Sequence, residues 1–290
     1  MKTLQLQPCS PPIWARSGHA QTLLGHFLKS PVLSELRKRV EVQLPDGDRL
    51  VGSFIQGTSR TTVTLFHGLT GSSESTYMHR TARIARARGH SVLLMNHRGC
   101  GEGKGFARLP YHSGRAEDWS ATLGKIKELR PYDRHVAVGF SLGANALLLL
   151  LGGTRVSAEQ RVLPDAAVAV NAPIHLAECA TNLKKGLNRI YDLNFVQECR
   201  RDILLRHRGE DKYKTVTFPK FGTLHDFDNW YTAPMSGFRD REDYYETCST
   251  HDKLHAIKTP TLVLTAEDDP FVGVEAYRKA KLSDFVQLHV

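Results

Sequence analysis

Short apolar segments alternate with segments of helical spacing along most of this chain, and that alternation restricts the possible folds more than any other feature. Strand-like runs of apolar and β-branched residues occur at residues 61–66, 91–96, 135–140, 166–171, 261–265 and 285–290. Helix-like segments lie between most of them, at residues 77–88, 117–129, 143–151 and 274–281. Strands that alternate with helices of about 10–15 residues are typical of βαβ units. The sequence therefore predicts an α/β fold in which a mainly parallel central sheet carries helices on both faces.

Three segments depart from this alternation. Residues 1–32 are punctuated by prolines and are expected to form an irregular N-terminal arm with a short helix at 20–28. Residues 40–44 and 50–55 flank the turn Pro45-Asp46-Gly47-Asp48, which predicts an antiparallel hairpin. Residues 173–258 are polar, aromatic-rich and helix-prone. We expect them to form a lid inserted into one domain of residues 1–290, whose final strand is 285–290.

Composition excludes several classes of protein. The chain has 290 residues, of which 41% are hydrophobic and 24% charged, as in ordinary globular proteins. No run approaches the roughly 18–20 apolar residues of a membrane span. The prolines near the N-terminus interrupt any apolar signal core, so no secretory signal is expected. Five cysteines without a C-x-x-C pair fit reduced thiols in a cytoplasmic protein better than a disulfide framework.

The net charge is positive but dispersed. The 39 Lys and Arg against 30 Asp and Glu give +9, and the sequence pI is near 9.4. No zinc-finger or RNA-binding signature accompanies the basic clusters, which are typical of solvated helix faces. We therefore expect no nucleic-acid partner. Association with nucleic acid through this charge is an alternative that requires a steep dependence on salt.

The segment Gly139-Phe140-Ser141-Leu142-Gly143 carries the pattern G-x-S-x-G. The five residues alone are a weak signal, but here they lie between an apolar strand and an apolar helix. A nucleophile elbow needs that placement, and it needs small neighbours because the serine backbone is strained and crowded. The sequence predicts Ser141 as a nucleophile, with the backbone N–H of Leu142 at the helix N-terminus donating to an oxyanion. A tight Gly-Ser turn without catalytic function is the alternative.

Two other segments supply the remaining predicted groups. The loop after the strand at 61–66 is predicted to contribute a second oxyanion donor, the N–H of Leu69, with His67 organising the loop. A carboxylate after the strand at 261–265 would orient a catalytic imidazole. Asp269, immediately before a proline, is the predicted acid, and Asp268 is the second choice. A solvated acidic turn is the alternative for this segment.

With these residues in view, the chain resembles the α/β-hydrolase superfamily. More narrowly, it is similar to the bacterial YheT-like hydrolases, which are relatives of the ABHD1/ABHD3-type and EMB8-type proteins. The segments that carry the resemblance are Gly18-His19-Ala20-Gln21-Thr22, Leu44-Pro45-Asp46-Gly47-Asp48, Phe66-His67-Gly68-Leu69-Thr70-Gly71, Asn96-His97-Arg98-Gly99-Cys100, Tyr111-His112-Ser113-Gly114, 139–143, Asp243-Tyr244-Tyr245 and Asp268-Asp269-Pro270-Phe271. The resemblance implies a serine hydrolase of carboxylic esters, with Ser141 as nucleophile, Asp269 as acid and Leu69 and Leu142 as oxyanion donors.

One expected residue is not in the sequence. The resemblance places the catalytic histidine in a loop roughly 28 residues after the acid, which lies beyond Val290. The last catalytic loop and helix are thus expected to be missing, and the activity of this form is expected to be low. His289 lies inside an apolar strand, which does not suit a base. The spacing of His251 and His255 suits a helix face or a metal, but no third ligand is near, so neither a metal nor a cofactor is expected.

These observations favour an esterase or lipase-like enzyme of lipid metabolism that forms an acyl-enzyme on short-to-medium acyl esters. The partner is then a small ester or acyl lipid, and contact with a membrane surface is compatible with the sequence. Two alternatives stay open. An acyltransferase would use the same triad, and a non-catalytic protein could retain the pocket to bind acyl groups or lipids. The oligomeric state is not predicted.

Overall fold

The fold is described by a computed structural model of residues 4–6, 11–27, 33, 35–208 and 222–290. Parts of the expected N-terminal arm and of the expected lid, at residues 28–32 and 209–221, lie largely or wholly outside the described residues. The strands are β1 (Lys38–Gln43), β2 (Arg49–Ile55), β3 (Thr61–Phe66), β4 (Ser91–Met95), β5 (Arg134–Phe140), β6 (Ala166–Val170), β7 (Thr261–Leu264) and β8 (Val286–His289).

Helices connect most of these strands. They are α1 (Gly18–Phe27), α2 (Thr76–Ala87), α3 (Ala116–Leu129), α4 (Leu142–Leu151), α5 (Leu176–Leu183), α6 (Asn188–Arg206), α7 (Leu224–Phe227), α8 (Ala233–Met235), α9 (Arg241–Cys248) and α10 (Val274–Lys279). A π-helical turn, Asp228–Thr232, joins α7 to α8. Short 3-10 helices occupy Ile13–Ala15, Gly101–Gly103 and Leu254–Ala256. No helix in the described ranges is both long and apolar enough to cross a bilayer.

The strands form one eight-stranded sheet in the order β1-β2-β4-β3-β5-β6-β7-β8. The expected hairpin is β1 and β2, which pair antiparallel, and β2 also pairs antiparallel with β4. All pairs from β4 to β8 are parallel. The predicted fold class, a mainly parallel α/β sheet, is therefore confirmed.

Helices cover both faces of the sheet, as expected for parallel strands that are apolar on both sides. On one face, Trp119 of α3 and Leu147 of α4 belong to the larger core cluster. On the other face, Met78 and Ala82 of α2 pack with Leu65 and other strand residues in a second cluster. The sheet is thus buried on both faces. The loops that follow the parallel strands lie at its carboxyl edge.

The predicted elements differ from the observed ones mainly at their ends. The strand expected at 285–290 is β8, Val286–His289, because the N–H of Phe285 turns back to donate to Ser283 Oγ at 3.2 Å. The helix expected to reach residue 281 ends at Lys279, where the N–H of Ala280 bonds to the Tyr277 carbonyl. Such differences arise in local hydrogen bonds that periodicity does not encode.

A buried arginine ties the hairpin to α3. Arg98 is 1% exposed and makes a two-pronged contact with Asp118, from Nε to Oδ2 at 2.8 Å and from Nη2 to Oδ1 at 2.6 Å. Its Nη1 also donates to Asp46 at 2.6 Å and to Asp48 at 2.8 Å. Arg98 thereby joins the Asp46-Gly47-Asp48 turn of the hairpin to α3.

Candidate active site

Ser141 occupies a tight turn between β5 and α4. Its φ of 50° and ψ of −120° lie outside the regions that non-glycine residues normally adopt. Such a conformation costs on the order of 1–3 kcal/mol and persists only where the surroundings fix it. Here the Ser141 N–H donates to the Val170 carbonyl at 2.8 Å, and the Ser141 carbonyl accepts from Ala144 and Asn145. The turn therefore holds the serine at the carboxyl edge of the parallel strands.

The glycines around Ser141 are required by close backbone contacts. A Cβ on Gly139 would lie 2.6 Å from the backbone of α4, and one on Gly143 would lie 2.4 Å from the His67 carbonyl oxygen. A Cβ on Gly68 would lie 2.9 Å from the Cβ of Ser141. These are separations that real Cβ atoms do not reach, so α4, β5 and the loop after β3 meet through glycines.

The two predicted oxyanion donors lie beside the serine. Leu142 is the first residue of α4, so its N–H has no partner one turn earlier in the helix. Leu69 follows Gly68 in the loop after β3, and its N–H has no backbone acceptor among the described residues. Ser141, Leu69 and Leu142 line the same pocket. Two unpaired N–H groups near a serine hydroxyl are what an oxyanion hole needs.

A buried histidine pair braces the loop that carries Leu69. His67 Nε2 accepts from the His97 N–H at 3.0 Å, so the proton of His67 lies on Nδ1, which donates to the Gly68 carbonyl at 2.8 Å. His97 Nε2 donates in turn to the His67 carbonyl at 2.8 Å. Burial lowers the pKa of His67 to about 4. His67 is thus a neutral residue that organises the loop, as the sequence predicted.

Two tyrosines hold the same loop from other elements. The N–H of Gly68 donates to Tyr77 Oη at 3.0 Å, and the N–H of Thr70 donates to Tyr111 Oη at 3.0 Å. Thr70 itself has a φ of 58°. With neighbouring N–H groups occupied by side chains, the N–H of Leu69 is left available in a fixed position.

Asp269 lies in the loop after β7. Its Oδ1 accepts from the N–H groups of Phe271 at 3.1 Å and Val272 at 2.8 Å, and its Oδ2 accepts from Asn171 Nδ2 at 2.6 Å. Burial raises the pKa of Asp269, although the three hydrogen bonds favour its charged form. Since β6 lies between β5 and β7, Ser141 and Asp269 leave the same sheet edge two strands apart.

Asp268, the second choice for the acid, is engaged elsewhere. It is exposed, and its Oδ2 accepts from Gln21 Nε2 at 3.1 Å. A Cβ on Gly18 would lie 1.8 Å from the Asp268 carbonyl oxygen, so α1 packs directly on this loop. The segment 18–22 of the sequence motif therefore clamps the loop that carries Asp269.

No histidine of the described residues is hydrogen-bonded to Ser141 or Asp269. His289 lies on β8 opposite Leu264, away from either residue's contacts. His251 stacks on His175 with centroids 4.5 Å apart, in a turn rather than on the helix face expected from its spacing with His255. That expectation was wrong because the segment folds as a turn followed by a 3-10 helix.

The pocket above Ser141 is largely apolar. Its cavity volume is about 100 Å³, and it is partly open to solvent. Helices α5 and α6 contribute several walls, and other walls come from the α7–α8 segment and the loops after β4 and β7. Its apolar lining includes Leu176, Cys179, Ala180, Leu183, Phe195, Cys199, Phe227 and Phe271. A pocket with this apolar lining suits an acyl chain.

Sequence reasoning missed three residues of this site. Asn171, with a φ of 45°, holds the predicted acid, and only the register of β6 on β7 brings the two together. Asp228 lies in the pocket wall, accepts from Tyr245 Oη at 2.8 Å, and has its pKa raised to about 6 by burial. His112 lines the pocket as well; its motif was noted but given no role.

The chain matches one protein-family model over residues 57–284, that of Hydrolase_4, described as serine aminopeptidase, S33. The match covers most of the chain, including β3, the Ser141 turn, the inserted helices and the Asp269 loop. It thus includes each element that forms the site.

Individual relatives agree with this match. The chain is 34% identical over 271 residues to the putative esterase YheT of Escherichia coli, covering 90% of this chain and 77% of that protein. It is 25% identical over 272 residues to phospholipase ABHD3 of Mus musculus, covering 90% of this chain but only 65% of that protein. The Pyrococcus furiosus esterase Pf2001 has a TM-score of 0.58 at 19% identity, over 91% and 87% of the two chains, and this likeness concerns the fold alone. The chain therefore belongs to the α/β-hydrolases, within the Hydrolase_4 family and with YheT as a relative.

Proposed function

We propose that this chain is a serine carboxylic-ester hydrolase that acts on short-to-medium acyl esters or acyl lipids. Ser141 Oγ attacks the ester carbonyl, and the N–H groups of Leu69 and Leu142 bind the oxyanion. The serine proton passes through an imidazole base to the leaving alcohol, and water then hydrolyses the acyl-enzyme. Relatives named as an esterase and a phospholipase support this class of reaction.

One observation carries the proposal: the strained backbone of Ser141, with φ of 50°, between β5 and α4. A serine in an ordinary turn needs no such conformation. Here three glycines permit it, and the serine lines an apolar pocket beside two available N–H groups. Strain fixed in this way is typical of a nucleophile elbow.

We propose Asp269 as the acid of the triad. Three hydrogen bonds fix its carboxylate at the sheet edge that also carries Ser141. The base would be the histidine that the resemblance places roughly 28 residues after Asp269, a position that this sequence does not include. Loss of the triad histidine in a serine protease lowers kcat by about 10⁶, which indicates how much of the activity such a base would supply.

Residues 173–258 would form the lid and most of the acyl pocket. They lie between β6 and β7, and the described part of them contributes α5 to α9. Inner positions of α5 and α6, such as Leu176 and Phe195, line the pocket with Ser141. Substituting Phe195 by Ala should extend the accepted chain length, which a series of acyl esters would show.

The test is labelling by a fluorophosphonate probe. We expect labelling at Ser141 that is abolished in Ser141→Ala and unchanged in Ser157→Ala, since Ser157 is an exposed serine outside the pocket. A form extended to include the predicted histidine should label and turn over p-nitrophenyl hexanoate far faster. Labelling that persists in Ser141→Ala, or an extended form without any turnover, would refute the proposal and leave a binding protein.

We also propose contact with an anionic membrane surface through the turn between α5 and α6. Leu187 and Ile190 are 64% and 61% exposed there. Beside them lie Lys184, Lys185 and Arg189, also exposed, which form no ion pair with any residue that the structure describes. Exposed apolar side chains among unpaired cations are typical of surfaces that bind acidic lipid headgroups.

Sedimentation with vesicles tests this contact. The chain should bind phosphatidylglycerol vesicles more strongly than phosphatidylcholine vesicles, and the double substitution Leu187→Ser and Ile190→Ser should weaken binding. Leu204→Ser with Leu205→Ser, at the other end of α6, is the matched control. Equal binding by both double variants would contradict the proposal.

A cytoplasmic location is proposed on the state of the cysteines. Cys100, Cys179, Cys199 and Cys248 are buried free thiols in the described residues. Reduced thiols are usual in the cytosol and unusual in secreted proteins. Fractionation of cells that express the tagged protein would test the location.

A further inference from the structure

His112 lies in the wall of the pocket that contains Ser141, but it takes no part in the reaction proposed above. The residue precedes α3 and is 1% exposed. Its ring packs edge-on against Phe238, with centroids 5.4 Å apart, and against Tyr244, at 5.5 Å. Aromatic neighbours therefore fix the plane of the imidazole.

The position of the imidazole proton follows from one hydrogen bond. The N–H of Gly114 donates to His112 Nδ1 at 3.0 Å, so Nδ1 carries a lone pair and not a proton. Burial, and next the positive charges of Arg115 and Arg155, hold the pKa of His112 well below its usual value. The ring is accordingly neutral, with its proton on Nε2.

That Nε2–H has no acceptor. It is buried and unpartnered among the described residues. A buried donor without a partner costs about 1–3 kcal/mol. Because His112 also lines the pocket, a ligand oxygen that reaches the ring would supply the missing acceptor.

We propose that His112 Nε2–H is a binding group for an uncharged oxygen of the substrate, separate from the carbonyl that reacts with Ser141. The inference rests on the proposed ester hydrolase function and narrows its substrates to esters with a second acceptor oxygen, such as an ether, hydroxyl or second ester. The carboxyls of Asp202 and Asp228 line the same pocket and disfavour a carboxylate ligand there. A neutral acceptor avoids repulsion from these two carboxyls.

Two substitutions separate the donor from the structural role of the ring. In His112→Asn the side-chain oxygen can replace Nδ1 as acceptor for Gly114, but the donor at Nε2 is lost. In His112→Gln the amide nitrogen can replace Nε2 as donor, but the acceptor for Gly114 is lost. A ligand preference that is lost in His112→Asn and retained in His112→Gln would not follow from general destabilisation.

Calorimetric titration in a Ser141→Ala background measures binding without turnover. We expect 2-methoxyethyl hexanoate to bind about 3- to 10-fold tighter than the isosteric butyl hexanoate, the ratio that one hydrogen bond provides. His112→Asn should reduce this ratio to about one, and His112→Gln should retain most of it. Equal affinities before substitution, or a preference that survives His112→Asn, would overturn the inference.

The binding measurement does not depend on the reaction proposed at Ser141. Should Ser141 fail to react with the fluorophosphonate, the ester hydrolase proposal falls while the ligand preference can still be measured. Conversely, a preference insensitive to His112 refutes only the binding role. Thermal unfolding of both His112 variants serves as the control for folding.

Discussion

Asn171 Nδ2 donates to Asp269 Oδ2 at 2.6 Å, linking the end of β6 to the loop after β7. The bond is the only side-chain hydrogen bond that Asp269 receives from the described residues; the other two come from backbone N–H groups. Asn171 reaches this position with a φ of 45°, which asparagine tolerates better than most residues. The charge of Asp269 thus depends on a residue outside its own loop.

Asn171→Ala should raise the pKa of Asp269. Burial already raises it, and the substitution removes one of the bonds that favour the charged form. Carbon-detected NMR titration of the carboxyl would measure the shift. Asn194→Ala, an exposed position on α6, should leave the Asp269 titration unchanged. An unchanged titration in Asn171→Ala would show that the bond does not influence the charge.

Gly143→Ala should destabilise the fold by about 1–3 kcal/mol, because the new Cβ has to displace backbone. That Cβ would lie 2.4 Å from the His67 carbonyl oxygen. Gly124→Ala in α3 is the matched control, since its nearest neighbour would be Val162 Cγ2 at 3.7 Å. The control should gain roughly 0.5–1 kcal/mol from helix propensity. Urea unfolding of both variants measures these changes. Equal unfolding midpoints for Gly143→Ala and Gly124→Ala would contradict a tight contact at Gly143.

Asp228 should make the fold less stable as pH rises. Burial raises its pKa from the ordinary aspartate value of 3.8 to about 6, so between these pH values the folded state binds more protons than the unfolded state. The free energy of unfolding therefore falls as pH rises from about 4 to about 7, and the cost, about 3 kcal/mol, is fully present above about pH 7.

Asp228→Asn removes this titration. The variant should gain stability relative to the parent at pH 7.5 but not at pH 4, as measured by urea unfolding at both values. The exposed Asp284→Asn provides the control. A stability difference between Asp228→Asn and the parent that is the same at both pH values would contradict the raised pKa.

Arg98→Met should cost about 3–5 kcal/mol, since it leaves the carboxylate of Asp118 buried without its partner. Arg108→Met is the control, because Arg108 is 85% exposed and lies 3.9 Å from Asp48. Because the guanidinium of Arg108 is solvated and the buried Asp48 keeps its bond to Arg98, we expect this contact to contribute about 0–1 kcal/mol. Thermal unfolding measures the loss of stability in each variant. A similar small loss in the two variants would show that the buried pair contributes little.

Local patterns predicted much of this fold. The strand at 61–66 coincides with β3, and the turn before α4 was placed by its two glycines and the serine between them. These signals succeed because each is contained in a few consecutive residues. The apolar strands have to be buried in a sheet, and the close contacts at Gly139 and Gly143 accept only glycine, so few other structures fit these segments.

The residues that sequence reasoning missed depend on contacts between distant segments. Asn171 meets Asp269 only through the pairing of β6 with β7, 98 positions apart in sequence. Asp228 is buried because the π-helical turn packs on Tyr245. No local periodicity reports such contacts. The bounds of α10 and β8 were likewise set by turn hydrogen bonds that propensity does not describe.

The pairing of β6 with β7 has a further consequence. Ala167 lies opposite Thr261 in an uninterrupted parallel ladder, although α5 to α9 intervene in the chain. The strands themselves therefore set the register of this ladder, and the inserted segment joins it in the chain only after β6 and before β7. Because the sheet edge that carries Ser141 and Asp269 is set by the strands, descendants of one ancestral framework could acquire new substrates by changes within this single segment.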